Sequence, residues 1–125
     1  MKIRPWIILP VVLILPAAFS LSWKDLKKNP EIPEHVLTIL NSKCVGCHNT
    51  DSRNEDAKKK LDFKKWEELS VVKKVGSLAD IKDMLEKGKM PPDKFLNRFP
   101  DKALTPVERD SLIEWTRKTA IKLME

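Results

Sequence analysis

Residues 31–125 are predicted to form a small all-α domain, preceded by an export segment over residues 1–20 and a linker over residues 21–30. Three observations give this class. Apolar residues recur at helical spacing in several segments, no stretch alternates apolar and polar residues as a half-buried strand does, and residues that start and stop helices bracket the periodic segments. No internal repeat is present.

The chain starts with Lys2 and Arg4, continues through a mainly apolar, uncharged run from Trp6 to Phe19, and offers small residues at Ala18 and Ser20. This is the layout of a signal peptide cleaved after Ser20, with an uncleaved N-terminal membrane anchor as the alternative. Pro10 and Pro16 interrupt the run, which is short for a membrane span. Both readings deliver the remainder across a membrane, so a periplasmic location is expected. Leu21 to Asn29 is polar and lysine-rich, and reads as a linker.

The domain itself starts near Pro33, a residue suited to a first helical turn, and Val36, Leu37, Ile39 and Leu40 supply an apolar face that leads into Cys44. His48 to Lys60 is polar without periodicity and is expected to be an exposed loop. Asp62 is a candidate cap for a helix carrying Trp66, Leu69, Val72 and Val75 and closed by Gly76. Ser77 then caps a second helix with Leu78, Ile81, Met84 and Leu85 on one face and Gly88 at its end. Lys89 to Ala103 holds Pro91, Pro92 and Pro100 and is expected to be an extended loop. Thr105 and Glu108 form a capping box around Pro106, and the helix they open runs to about Leu123 with Leu112, Ile113, Trp115, Ala120 and Leu123 for its buried face.

Lysine and arginine total 24 against 18 acidic residues, a formal net charge of +6 that includes Lys2 and Arg4 of the export segment. The two signs are interspersed along the chain, so no nucleic-acid-binding tract is present. The excess suits an acidic partner face, anionic lipid headgroups or a plain solvated surface.

The only two cysteines fall in Cys44-Val45-Gly46-Cys47-His48, the arrangement of a covalent haem attachment site. Two intervening residues let both sulfurs reach the two vinyl groups of one porphyrin, and the histidine that comes next falls beneath the iron. Gly46 is expected to clear a side chain from the ring edge. Competing readings fit less well. A thioredoxin-like pair needs strands, a zinc site lacks an evident fourth ligand, and a disulfide leaves His48 unexplained.

One haem c, covalently bound through Cys44 and Cys47 with His48 on the iron, is therefore the expected cofactor, and it requires the haem attachment machinery. For the sixth position, thioether sulfur is a known partner of histidine in this chemistry. Met1 lies in the export segment, Met124 at the terminus and Met84 on an apolar stripe. Met90 comes after Gly88-Lys89 and precedes Pro91-Pro92, whose restricted backbone would hold a loop with its sulfur inward. His35 is the alternative, although it lies on the helix that leads into the motif.

The attachment motif, Leu61-Asp62-Phe63-Lys64-Lys65-Trp66, Gly88-Lys89-Met90-Pro91-Pro92, and Leu104-Thr105 to Glu108 with Leu112-Ile113-Glu114-Trp115 together resemble the small exported haem-binding domains of the monohaem cytochrome c group. The resemblance runs over roughly Ile32 to Lys118, with a lysine-rich stretch at Ala57 to Lys60 where many members carry a longer tryptophan-rich segment. It implies a cytochrome c-like helical domain wrapped around the haem, with His48 and Met90 as its axial pair. One-electron transfer between redox partner proteins, without catalysis, is the expected function. A haem enzyme or gas sensor with an open distal face is a second class, and a haem-bearing accessory subunit of a larger redox complex is a third.

Overall fold

The computed structural model of the protein describes residues 32–125, and the signal peptide and linker assigned from sequence lie outside them. Among the described residues there are five α-helices and no strand: α1 (Glu34–Lys43), α2 (Glu55–Lys60), α3 (Val71–Glu86), α4 (Asp93–Leu96) and α5 (Pro106–Met124). Two short 3-10 helices, Phe63–Glu68 and Pro100–Lys102, join them. None of the described helices is long and apolar enough to cross a membrane.

Pro33 occupies the N-cap position of α1, and Val36, Ile39 and Leu40 turn inward as their spacing predicts. The core unites these with Val45, Phe63, Trp66, Leu78, Leu85, Leu112 and Trp115. Trp66 sits at its centre, with ring centroids 6.2 Å from Phe63 and 6.3 Å from Trp115. Such tilted aromatic pairs place ring edges against ring faces and add to the gain from burial.

The polar stretch after His48 is not all loop: it contains α2, which buries no side chain. This helix rests on local chemistry instead. Asn54 Oδ1 accepts from Ala57 N at 3.0 Å, Glu55 and Asp56 occupy the positive end, and Lys58, Lys59 and Lys60 occupy the negative end. A helix without an apolar face leaves no periodic signal.

Asp62 does cap, accepting from Lys64 N at 3.0 Å, but the helix it opens is the short one from Phe63 to Glu68. Ser70 then caps a single helix, α3, that passes straight through Gly76 and Ser77 instead of breaking there. Trp66 and Leu69 therefore do not share a helix with Val72, which is 82% exposed. A glycine inside a helix costs only about 1 kcal/mol relative to alanine, and the extensive packing of α3 on α5 outweighs it. The true stop is Gly88, at φ 61°, where Gly88 N donates to Leu85 O at 3.1 Å and Lys89 N to Met84 O at 2.9 Å.

Lys89 to Ala103 is more structured than an extended loop, because α4 and the Pro100–Lys102 turn fold within it. Phe95 and Phe99 pair at 5.1 Å between centroids, and the Met90-Pro91 peptide is cis. The last helix begins as its capping box predicts: Thr105 N donates to Glu108 Oε2 at 2.8 Å, and Glu108 N donates to Thr105 Oγ1 at 3.2 Å. Leu112 and Trp115 are buried on α5, joined by Thr116 and Thr119, while Ile113, Ala120 and Leu123 pack only partly.

Candidate haem-attachment site

Cys44 ends α1, and the chain continues to turn in the same sense through the motif. Cys47 N and His48 N both donate to Cys44 O at 3.1 Å. This one extra turn places positions three and four residues apart on the same side, so Cys44, Cys47 and His48 share a face. Val45, 2% exposed, belongs to the core, and Cys44 packs against that core as well, which anchors the turn. Gly46 is exposed, its φ is not positive, and a Cβ there would meet nothing within 4 Å, so the polypeptide itself does not demand glycine at this position.

The imidazole of His48 is fixed from behind. Its Nδ1 lies 3.0 Å from Ala57 O and 3.1 Å from Leu61 O, and because both partners are carbonyls, Nδ1 must carry the proton and donate. The lone pair is then on Nε2, which is how a histidine is prepared to bind a metal through that nitrogen. His48 O in turn accepts from Phe63 N at 3.1 Å, so α2 and the Phe63–Glu68 helix together frame the residue. The helix that escaped the sequence pattern supplies one of these carbonyls and leads directly to the other. No side-chain signal marks a backbone acceptor.

Both thiols are free and partly buried. Burial, together with Cys47 and Glu108, pushes the Cys44 thiol up from 9.0 to about 12. Cys44 is thus a protonated thiol at neutral pH, unlike the acidic thiols of disulfide oxidoreductases or the thiolates of zinc sites. Among the described residues, no group of three or more His, Cys, Asp and Glu side chains is placed to hold a metal ion. A histidine with Nε2 free, two thiols on the same face and an aromatic core beneath them fit a haem held by thioethers. Arg109 Nε, buried without a partner beside Glu108, is a donor that a carboxylate-bearing cofactor would satisfy.

The raised thiol sets a pH dependence for the protein with free cysteines. Below pH 9 both folded and unfolded chains hold the proton. Above it the unfolded chain ionises first, so stability is lost as pH rises from 9.0 toward 12, by at most about 1.4 kcal/mol per pH unit. Urea midpoints compared between this protein and Cys44→Ala should diverge over that range in the direction of a steeper alkaline loss for the thiol form. Parallel midpoints would mean that Cys44 is not desolvated as described.

Met90 is half-buried in the segment between α3 and α4. The chain beyond α4, not Met90's own stretch, is fastened beside the motif: Lys43 Nζ donates to Asp101 O at 2.7 Å and Ala103 O at 3.0 Å, from the residue just before Cys44. Neither contact has a signature in the sequence. His35 is exposed on α1 and faces α5, where it adds a minor part to the lowering of the Glu114 carboxyl caused chiefly by Lys118. The structure therefore groups Cys44, Cys47 and His48 on one turn, ties the Pro100–Lys102 turn and Ala103 to the residue before it, and leaves His35 at the surface.

Behind His48 lies a cavity of about 530 Å³ lined by Lys58, Lys59, Lys60 and Lys65, with Leu61 and Leu69 among its apolar walls. Leu61 belongs both to this cavity and, through its carbonyl, to the support of His48.

Residues 50–118 match the family described as a haem-binding domain, a match that covers more than half of the chain and begins two residues after His48. No curated protein and no solved structure matches the chain.

Proposed function

The chain belongs to the haem-binding domain family, and on that premise we propose that it is an exported monohaem c-type cytochrome that passes single electrons between redox partner proteins. The observation that carries the reading is the doubly supported His48 Nδ1, which leaves Nε2 available on the same face as Cys44 and Cys47. When bound, the haem supplies a one-electron iron couple.

The rest is done by the chain. Cys44 and Cys47 would hold the porphyrin edge as thioethers, which would keep the cofactor from dissociating in either oxidation state. His48 gives Nε2 to the iron, and the Ala57 and Leu61 carbonyls keep its ring from rotating and raise its basicity. Met90, half-buried between α3 and α4, would offer its sulfur as the second ligand, one that favours the reduced state. With His48 and Met90 both holding the iron, the haem would supply one-electron chemistry without needing a substrate bound to it. A carrier without catalytic activity results from this arrangement.

Location and partners rest on the same premise. The N-terminal segment would place the domain in the periplasm, free or tethered, and the lysine-lined cavity behind His48 suits a partner with an acidic face.

The test is a redox titration of the purified wild-type protein monitored by its visible spectrum. A single reversible one-electron transition is expected, with the reduced spectrum unchanged on addition of carbon monoxide. Rapid conversion by carbon monoxide would instead assign an open distal face and the enzyme or sensor class.

A further inference from the structure

We propose that Lys43 is a positioning residue for the sixth ligand: it locks the Met90 segment to the end of the attachment helix, and so holds the sulfur in place on the iron. This inference rests on the reading of Met90 as an axial ligand.

Residues 89–103 form a folded unit with its own internal bonds. Phe95 N and Leu96 N donate to Pro92 O, Phe99 N to Phe95 O at 2.9 Å, and Lys102 N to Phe99 O at 3.0 Å. The unit is attached to the domain at two ends. At one end the Gly88 turn ties Lys89 back to Met84. At the other, the carbonyls of Asp101 and Ala103 lie at the close of the Pro100–Lys102 turn, where helical partners run out. Lys43 fills that need with two of its three N–H donors across a separation of 58 and 60 residues.

The cation also suits the negative end of this short turn, and hydrogen bonds from a charged donor are stronger than neutral ones. Lys43 is half-buried, which limits its screening by water. Its own backbone is rigid, because it is the last residue of α1 and Cys44 N donates to Leu40 O at 2.9 Å. Attachment thiol and ligand segment are thereby referred to one frame. The far end of the unit is also held by Leu104, which packs on the core, and by the start of α5, so Lys43 restrains the last turn of a unit already anchored there. A shift of the whole unit, the motion that would carry Met90 with it, requires both carbonyls to lose their donor.

Two readouts test this. In Lys43→Gln and Lys43→Met, amide hydrogen exchange at Lys102 and Ala103 should accelerate by about tenfold, since their segment opens locally at lower cost. In the same haem-loaded variants the far-red sulfur-to-iron band should weaken and the reduced protein should bind carbon monoxide at least several-fold faster, while Lys43→Arg should restore wild-type behaviour. Unchanged exchange in both variants would overturn the latch. Faster exchange with band and carbon monoxide reactivity unchanged would leave Lys43 a structural tie only, and would overturn the positioning role. A Met90→Ala control with an unaltered band would show that the reading of Met90 had failed first, and the inference would fall with it.

Discussion

Cys44→Ala/Cys47→Ala is expected to yield a protein whose haem is fully extracted by acidified organic solvent, whereas the wild type retains it. The two sulfurs lie on one turn with His48, and without them only axial bonds and packing hold the ring. Loss of the tether should also leave the domain poorly folded. Cys44 packs against the core beside the buried Val45, and removing partly buried sulfur atoms typically costs about 1–3 kcal/mol per site even before the haem is considered. For a small domain with a total stability of about 5–15 kcal/mol, that is a large share. Either single variant should keep one thioether and resist extraction. Haem that survives extraction from the double variant would defeat covalent attachment through these cysteines.

Met90→Ala is expected to have the largest effect on the electronic properties of the site. Replacing sulfur by a methyl group should abolish the far-red band, lower the reduction potential, and let the reduced protein bind carbon monoxide readily. His35→Ala should leave all three nearly unchanged, because His35 is exposed on α1 and directed toward Glu114. The pair of variants separates ligand identities cleanly. If only His35→Ala opened the iron, the axial pair would be two histidines and the potential of the wild type would already be low.

Legibility in the sequence depends on whether an element rests on side-chain pattern or on backbone geometry. The helix before Cys44, the capping box at Thr105 and the stop at Gly88 rest on residue type, and all three stand where their residues place them. Asp62 and Ser70 show the limit of that reading. Both are capping residues, but Asp62 opens only a short turn, and Ser70, not Ser77, opens the long helix. Gly76 is a plausible stop by type, yet nothing in its surroundings makes the chain turn there.

At the site the same division holds. Cys44, Cys47 and His48 are legible as one cluster because their spacing puts them on a single turn, where the structure also groups them. The carbonyls of Ala57 and Leu61 are illegible, since any residue supplies a carbonyl, and the helix that delivers them has no apolar face. Lys43 is one lysine among many, and its partners lie 58 and 60 residues away on the backbone.

The uneven packing between helices also sets which part of the domain opens first. α3 and α5 share the most extensive helix contact in the domain, and α1 meets α5 over far less. α2 and α4 bury no side chain, so the cheapest partial openings free them while the α3–α5 pair stays assembled. Because Ala57 O of α2 holds His48 Nδ1, opening of α2 also releases one of the two restraints on the imidazole.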